Sequence, residues 1–256
     1  MSHSLFARED QFQYTRTETF NLQILDQLIL SLAAEERSTI TQADLQHRAR
    51  AFVLRETRSW TSATRVGRIQ FTELDVTFLA PHAPELWHVN GRPALTRGPQ
   101  GIAPGGEHTY RVGNISLSKQ ELLEFPTDPQ LICERLLATR PHDPAKVLTQ
   151  LVESLRSGPK PAALRRGIHD ALLLLENVRA AGTSTDRAGR DGSSLRFARD
   201  EERELELIFD AGSFELLGQR TRARAGLAER LEVPAKTLVE DMAITERAVT
   251  DEIPAA

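Results

Sequence analysis

The residues best suited to metal chemistry are three histidines and a glutamate in the loop-rich middle of the chain: His82, Glu85, His88 and His108. Imidazole and carboxylate groups are common zinc ligands, and a loop can bring them together. The spacing from His82 to His88 fits no standard zinc pattern, however, and no pair of cysteines accompanies it. We therefore interpret these residues as loop histidines and predict no metal site and no cofactor.

A second candidate for chemistry is His169-Asp170, a base followed by a carboxylate that can orient it, with Asp143 nearby in sequence. The surrounding pattern is helical, and adjacent helical residues point in different directions. We therefore expect the His169 and Asp170 side chains not to face each other and to be solvated. Cys133 is the only cysteine, so it forms no internal disulfide. Its apolar neighbour Ile132 predicts a small buried hydrophobic residue.

Sequence motifs with a known catalytic mechanism are absent. The chain has no G-x-S-x-G nucleophile turn, no G-x-x-x-x-G-K-[ST] phosphate loop, no G-x-G-x-x-G dinucleotide motif and no H-E-x-x-H zinc motif. Gly98–Gly106 is rich in glycine and proline but lacks the Lys-Ser/Thr that a phosphate cradle needs, so we predict a mobile loop. No catalytic residue is predicted, and no binding residue is assigned.

Two further groups of residues have structural interpretations. Glu201–Glu206 contains four glutamates, which predict a solvated strand edge that discourages aggregation. Trp60 and Trp87 are the only tryptophans, and we expect them to pack in the core or on the sheet. The alternative for both is that they line a cavity for an apolar ligand.

Composition narrows the class of partner. The chain has 256 residues, of which 40% are hydrophobic and 27% charged, as in an ordinary globular protein. A net charge of −4 gives no global basic field, and only 5% of the residues are aromatic, so we predict no nucleic-acid partner. Met1–Gln13 is polar and does not resemble a signal peptide.

Short antiparallel strands are predicted from Val178 to Ala223, where polar and apolar residues alternate between turns rich in Gly and Asp. Leu205, Leu207 and Phe209, for example, alternate with glutamates. Such a pattern indicates a sheet with one wet face and one buried face. The predicted strands are Val178–Thr185, Ser194–Arg199, Glu202–Phe209 and Phe214–Thr221.

The first half of the chain predicts further strands. Gln11–Asn21 alternates like a first strand, and Ala51–Ser62 with Arg68–Leu79 form a candidate hairpin. A short strand is predicted at His108–Val112. The apolar residues of Leu22–Ala34 have helical spacing, so we predict a helix, which is too short for the ~20 residues that a bilayer requires.

Three helices are predicted after the loop-rich region. Thr127 or Asp128 caps the first, with Pro129 in its first turn. The second begins at Asp143-Pro144 and the third at Pro161, and both carry apolar stripes with a helical period.

An order of strands, three helices and strands is typical of the α+β class. We predict a curved antiparallel β-sheet, a half-barrel, packed on about three helices, with an apolar mouth. Residues 1–10 are expected to be a flexible start, and residues 11–222 a single α+β domain with helices near residues 128–177. Residues 223–256 are expected to form a C-terminal tail that adds a last strand to the same sheet, although Thr237–Ile253 fits a helix about as well.

Four groups of short segments carry a resemblance to a known family. They are Arg55-Glu-Thr-Arg-Ser-Trp60 with Gly67-Arg68; Phe78-Leu-Ala-Pro81 with Trp87 and Gly91-Arg-Pro93; Phe125-Pro-Thr-Asp-Pro129; and Leu207-Ile-Phe-Asp210 with Leu216-Leu-Gly218. In order and spacing they resemble an actinobacterial family of extracytoplasmic domains that is often encoded beside extracytoplasmic-function sigma factors. The resemblance covers roughly residues 50–222, and Ile253-Pro254 resembles the family's ending.

The resemblance implies a fold similar to the periplasmic lipoprotein carrier and to the sensor module that binds anti-sigma factors in envelope-stress signalling. It implies an extracytoplasmic location and a binding role, and it supplies no catalytic residues. The family's membrane helix and cytoplasmic tail have no counterpart in this chain, so a cytoplasmic location is expected instead if Met1 is the natural start.

Pattern and resemblance together favour a non-catalytic extracytoplasmic binding or regulatory domain that senses an apolar envelope ligand. The expected partners are a lipid or apolar peptide and a membrane-bound signalling protein, and the oligomeric state is left open. One alternative is a carrier of lipid or lipoprotein. A second is a hydrolase whose site is not recognisable from sequence.

Overall fold

The computed structural model describes residues 6–7, 11–26, 48–78, 100–102, 110–139 and 145–254. Its main element is a curved, open sheet of nine described strands in which every pairing is antiparallel. Across the sheet the strands are β4 (Gln100–Ile102), β3 (Gly67–Phe78), β2 (Arg48–Thr61), β1 (Phe12–Asp26), β11 (Leu238–Thr250), β10 (Leu216–Ala223), β9 (Arg203–Phe209), β8 (Asp191–Ala198) and β7 (Val178–Thr185). A separate hairpin joins β5 (Tyr110–Val112) to β6 (Ile115–Leu117).

The predicted run of short strands is confirmed as β7 to β10. Each pairs with the next in sequence, because the turns between them are short and the alternation of side chains is local. On β9, Leu205, Leu207 and Phe209 are buried in the core cluster beneath the helices. The α+β class predicted from the order of elements is therefore confirmed.

The predicted helix over Leu22–Ala34 is wrong in its first residues. Leu22–Asp26 continues β1 and pairs with Arg48–Phe52 of β2. The backbone of these residues pairs with a long neighbouring strand, and that pairing overrides the helical spacing of the apolar side chains. Residues 27–34 lie outside the described part of the chain.

The described helices are α1 (Lys119–Leu123), α2 (Pro129–Ala138), α3 (Ala145–Arg156), α4 (Ala162–Leu173) and α5 (Ala225–Leu231). The three helices predicted after the loop-rich region correspond to α2, α3 and α4. Asp128 caps α2 by accepting hydrogen bonds from the backbone N–H groups of Gln130 and Leu131. Sequence periodicity missed α1 and α5, because helices this short show less than two turns of a pattern.

The helices α2, α3 and α4 cover the half of the sheet formed by β7 to β11. Apolar residues from both layers share one core, in which Ile132, Leu151, Ile168 and Leu207 are fully buried. Gly167 allows α4 to approach the chain before α2, since a Cβ at this position would lie 2.2 Å from the carbonyl oxygen of Thr127. No helix in the described ranges is long and apolar enough to cross a membrane.

Candidate functional site

The sheet is interrupted between β10 and β11. The two strands pair from Arg222 and Leu238 as far as Gly218 and Ala243, and β10 shifts its register just before that point. Beyond Ala243, β11 continues to Thr250 with β1 as its described partner on one side. No described strand pairs with the opposite edge of β11 there, because β10 does not follow it.

A cleft of about 710 Å³ occupies this interruption. One wall is β11, the second is the start of β10, and the connection between α3 and α4 closes a third side. Its lining mixes apolar and charged side chains. They are Phe6, Gln11, Gln13, Tyr14, Thr15, Gly158, Pro159, Arg190, Glu215, Leu216, Leu217, Ile244, Thr245, Glu246, Arg247, Ala248 and Val249.

Arg190, from the turn between β7 and β8, bridges the two separated strands. Its Nη2 donates to the carbonyl oxygens of Leu217 at 3.0 Å and Ile244 at 2.8 Å. The Asp186 carboxylate accepts from Arg190 Nε at 2.8 Å and from its backbone N–H at 2.9 Å, and the Asp186 side chain is fully buried. The guanidinium therefore replaces strand-to-strand hydrogen bonds that the separation removes.

Three more cations gather beside the cleft. Arg247 Nη1 lies 3.4 Å from Glu215 Oε1, and Arg165 Nη1 lies 3.9 Å from the same oxygen. Arg165 also donates to the carbonyl oxygen of Lys160 at 2.8 Å, which ties the two residues together. Lys160 directly follows Pro159 of the cleft wall and is 3% exposed. One shared carboxylate, Glu215, therefore serves two of these cations.

The buried ammonium of Lys160 is the most perturbed group of the cluster. Burial, followed by the charges of Arg247 and Arg165, lowers its pKa to about 7. Its described acceptors are the backbone carbonyl and hydroxyl oxygens of Ser157, which are neutral. Burial also lowers the pKa of Arg247, although Glu215 opposes that shift. While Lys160 is protonated, four cations face the three carboxylates of Asp186, Glu215 and Glu246, so one positive charge is unbalanced and favours an anion; above pH 7 the charges balance.

Aromatic and amide groups complete the cleft. The Tyr14 ring lies 5.1 Å from that of Trp60, which is 5% exposed, so the predicted packing role of Trp60 is confirmed. Burial and, to a lesser extent, Glu246 raise the pKa of Tyr14. Gln13 Nε2 is buried without a hydrogen-bond partner in the described part of the chain. Such an unsatisfied donor beside a cleft can bind an acceptor on a ligand.

The histidines considered for a metal site lie outside the described residues, as do Glu85 and Trp87. The described residues contain no group of three or more His, Cys, Asp or Glu side chains that could hold a metal ion. Within Gly98–Gly106, Gln100–Ile102 forms the edge strand β4, and the rest of that loop is not described.

The expectation that His169 and Asp170 do not face each other is wrong. His169 Nδ1 lies 2.9 Å from Asp170 Oδ1, so the two side chains are in contact although they are adjacent on the helix. His169 is buried, with its ring edge-to-face against Phe209 and Phe214, so it is not a solvated position either. The pair does not line the cleft.

The prediction of a solvated edge at Glu201–Glu206 is also wrong for its last residue. Glu206 lies on an interior strand and is fully buried, where it accepts hydrogen bonds from Arg196 at 2.9 Å and Arg222 at 2.8 Å. Burial opposes ionisation, but these two guanidinium groups hold the pKa of Glu206 below its usual value. Cys133 is half-buried against the core, and burial raises the pKa of its thiol.

The charged residues of the cleft were missed by sequence reasoning. Lys160 stands between two prolines in a helix connection, and Arg190 in a turn, positions that usually hold solvated side chains. Arg247 has the pattern of an ordinary polar strand residue. No local signal marks them, because they meet only when the α3–α4 connection, the β7–β8 turn and β11 come together.

Among the solved structures that are similar to this chain, the following two align with most of it. The crystal structure of MucB in complex with MucA(peri) covers 94% of this chain and 52% of that chain, at 15% identity and a TM-score of 0.31. The complex structure of Pseudomonas aeruginosa MucA/MucB covers 94% and 53%, at 14% identity and a TM-score of 0.31. This chain spans about half the length of the solved chains it matches, and such a TM-score carries no functional residue across. No family model and no curated protein matches the chain.

Proposed function

We propose that this chain is a non-catalytic binding domain of a regulatory system and that the cleft between β10 and β11 is its ligand site. The observation that carries the proposal is a cleft of about 710 Å³ at an interruption of the sheet, whose lining combines apolar side chains with two arginines, Arg190 and Arg247, and two glutamates. A volume of this size suits a small molecule or a short chain segment.

Apolar burial supplies the affinity in this proposal. Phe6, Tyr14 and Val249 keep partly exposed apolar surface in the cleft, and covering such surface stabilises a complex by ~25 cal/mol per Å². The polar atoms of the lining orient the ligand, as in most binding sites, where a few placed polar groups fix the pose.

The domain signals through Arg190 in this proposal. Arg190 lines the cleft and at the same time fastens the β7–β8 turn to the carbonyl oxygens of Leu217 and Ile244. A ligand that contacts Arg190 competes with those carbonyls and shifts the population of turn conformations. In this proposal a membrane-bound signalling protein binds the β7–β8 turn. The binding takes place outside the cytoplasm, the location that the family resemblance implies.

A catalytic role has less support. The described pair that resembles a base and its orienting carboxylate, His169 and Asp170, lies apart from the cleft lining. The hydroxyl groups in the lining, those of Tyr14, Thr15 and Thr245, have no described histidine beside them. A nucleophile requires an adjacent base within hydrogen-bond reach.

Native mass spectrometry tests the proposal. Protein purified gently from a cell extract that contains membrane lipid is expected to carry a reproducible extra mass that denaturation removes. Val249→Phe places a larger side chain in the cleft and is expected to lose that mass. Val66→Phe is the matched control, because Val66 is 63% exposed in the β2–β3 turn and lies outside the cleft lining. Equal adducts on both variants would place the ligand elsewhere, and a clean apo mass on every form would reject the cleft as a ligand site.

A carrier is distinguished by exchange. A protein that ferries lipid transfers it between vesicles faster than the blank rate, whereas a regulatory domain holds its ligand and changes its affinity for a protein partner. Lipid transfer faster than the blank rate, if Val249→Phe abolishes it, would identify a carrier in place of a regulatory domain.

A further inference from the structure

We propose that the ligand of the cleft is an extended peptide, which adds as a strand to the open edge of β11 and places an acidic side chain between Arg190 and Arg247. This inference rests on the proposed function, since it specifies what the cleft binds.

The lining of the cleft exposes a strand edge. Consecutive residues of β11, from Ile244 to Val249, all border the cleft. Beyond Ala243, β11 has parted from β10, and β1 is the one described strand that pairs with it there. Its other backbone edge therefore faces the cleft. At ~3.3 Å per residue the stretch from Glu246 to Val249, beyond the carbonyl that Arg190 occupies, offers about 13 Å, enough to pair with about four residues of a peptide.

Backbone groups on this edge are available for pairing. In an antiparallel sheet, every second residue directs its N–H and C=O groups to the same neighbour. The carbonyl of Ile244, which precedes an irregularity of β11 at Thr245, accepts from Arg190. Between Glu246 and Val249, no described residue hydrogen-bonds to the edge that faces the cleft. An added strand would satisfy those groups by main-chain hydrogen bonds, the mode by which many domains bind extended peptides.

Charge specifies the side chains of the peptide. Arg190 and Arg247 border the cleft from its two sides, and the charges of Lys160 and Arg165 lie behind Arg247. Asp186 pairs with Arg190, and Glu215 is shared by Arg247 and Arg165. The cleft also carries Glu246, which is exposed and takes no described part in the pairs, so three carboxylates face four cations while Lys160 is protonated. A glutamate or aspartate of the peptide supplies the fourth negative charge in that state.

The geometry favours a peptide over a lipid. An acyl chain has no donors or acceptors to pair with a strand edge, so it would bury the polar groups of β11 without partners. A peptide of alternating apolar and acidic residues uses the whole lining, because its backbone pairs with β11 while its side chains reach the leucines and the arginines.

The test uses isothermal titration calorimetry with defined probes. The first probe is an acetylated, amidated hexapeptide that alternates valine and glutamate, and the second replaces every glutamate by glutamine. The glutamate peptide is expected to bind at least about tenfold more tightly, because hydrogen bonds between ions are stronger than those between neutral groups. Arg247→Gln is expected to remove that preference. Arg230→Gln is the control, because Arg230 is exposed on α5 and pairs with Glu202, away from the cleft.

Strand addition itself is tested without any change to the protein. Two versions of the glutamate peptide carry N-methyl groups on alternate residues, in opposite phases. An added strand directs alternate amides to β11, so one phase is expected to lose at least tenfold in affinity and the other to stay within about threefold. Equal affinity of both phases overturns strand addition, and equal affinity of the glutamate and glutamine peptides overturns the acidic specificity.

Dodecanoate, an anion with an apolar chain, distinguishes this inference from the proposed function. One outcome is that dodecanoate binds to the natural protein but not to Val249→Phe, and that no peptide binds. This outcome would overturn the peptide and would leave the cleft as a ligand site. The native mass spectrometry experiment tests the proposed function separately, so a failure of the proposed function is recognised without reference to the peptides.

Discussion

Replacement of Lys160 by methionine is expected to stabilise the protein, and by an amount that depends on pH. Lys160 is buried, its described acceptors are uncharged oxygens, and its nearest charged neighbours, Arg165 and Arg247, are also positive. Methionine has a similar length and no charge, so it fills the same space without the cost of burying an ammonium group.

The pKa of Lys160 determines the size and sign of the effect. It is about 7 in the folded state and near 10.5 in the unfolded chain. Between these two pKa values the unfolded state binds more protons than the folded state. Titration of Lys160 therefore raises the free energy of unfolding of the natural protein by up to ~1.4 kcal/mol for each pH unit. Below pH 7 the full penalty applies, about 3–5 kcal/mol, and near pH 10.5 it vanishes. Lys160→Met should thus be more stable by about 3–5 kcal/mol at pH 6 and nearly equal at pH 10.5.

Urea denaturation of the two proteins at unit steps from pH 6 to pH 10 measures this difference. Groups that titrate equally in both proteins cancel in the difference, so its slope reports Lys160 alone. Val66→Met, at a position that is 63% exposed, is the control: neither side chain titrates, so its difference from the natural protein should not change with pH. A difference between the natural protein and Lys160→Met that does not change with pH, or a variant that is less stable at pH 6, would refute the reasoning.

Other consequences of the structure are testable by unfolding and by thiol chemistry. Glu206→Gln should cost about 1–3 kcal/mol because it replaces the carboxylate that pairs with two partly exposed arginines, whereas Glu204→Gln should cost under ~1 kcal/mol. Equal losses in urea denaturation would contradict the burial argument. The stability that Glu206 contributes is present above the usual glutamate pKa and is lost as the pH falls through its depressed pKa, so acid titration of the variant should show a smaller loss. Gly167→Ala should destabilise the protein by more than ~2 kcal/mol, because its Cβ would clash with a backbone carbonyl. Gly226→Ala, with open space around it, should stabilise the protein by up to ~1 kcal/mol. Thermal melts measure both, and an unchanged stability of Gly167→Ala would mean that the helix can shift. Cys133 should react with a disulfide reagent more slowly at pH 8 than a free thiol, because burial raises its pKa, and a rate equal to that of glutathione would contradict this.

Local patterns predicted a large part of this fold. The strands β7 to β10 were legible because their turns and their alternation lie within a few residues of each other. The same holds for α2, where Asp128 and Pro129 mark the start of the helix. Where a pattern had to compete with a distant partner it failed, as at Leu22–Asp26, whose backbone pairs with β2.

Side-chain environments were harder to predict than elements. Glu206 carries the signature of a solvated residue, and only the arginines of the two neighbouring strands make its burial favourable. His169 likewise has a polar neighbour in sequence, but its burial comes from Phe209 and Phe214 on another part of the chain.

The sequence by itself determined the α+β class, the hairpins and the main helices, because hydrophobic period, caps and turns act over short distances. The tertiary structure alone decided where a ligand site lies. Its cations come from a helix connection at Lys160, a hairpin turn at Arg190 and a late strand at Arg247, and its open edge exists because β10 and β11 part beyond Ala243. Strand order and register bring these groups together, and neither is encoded in the local spacing of residues.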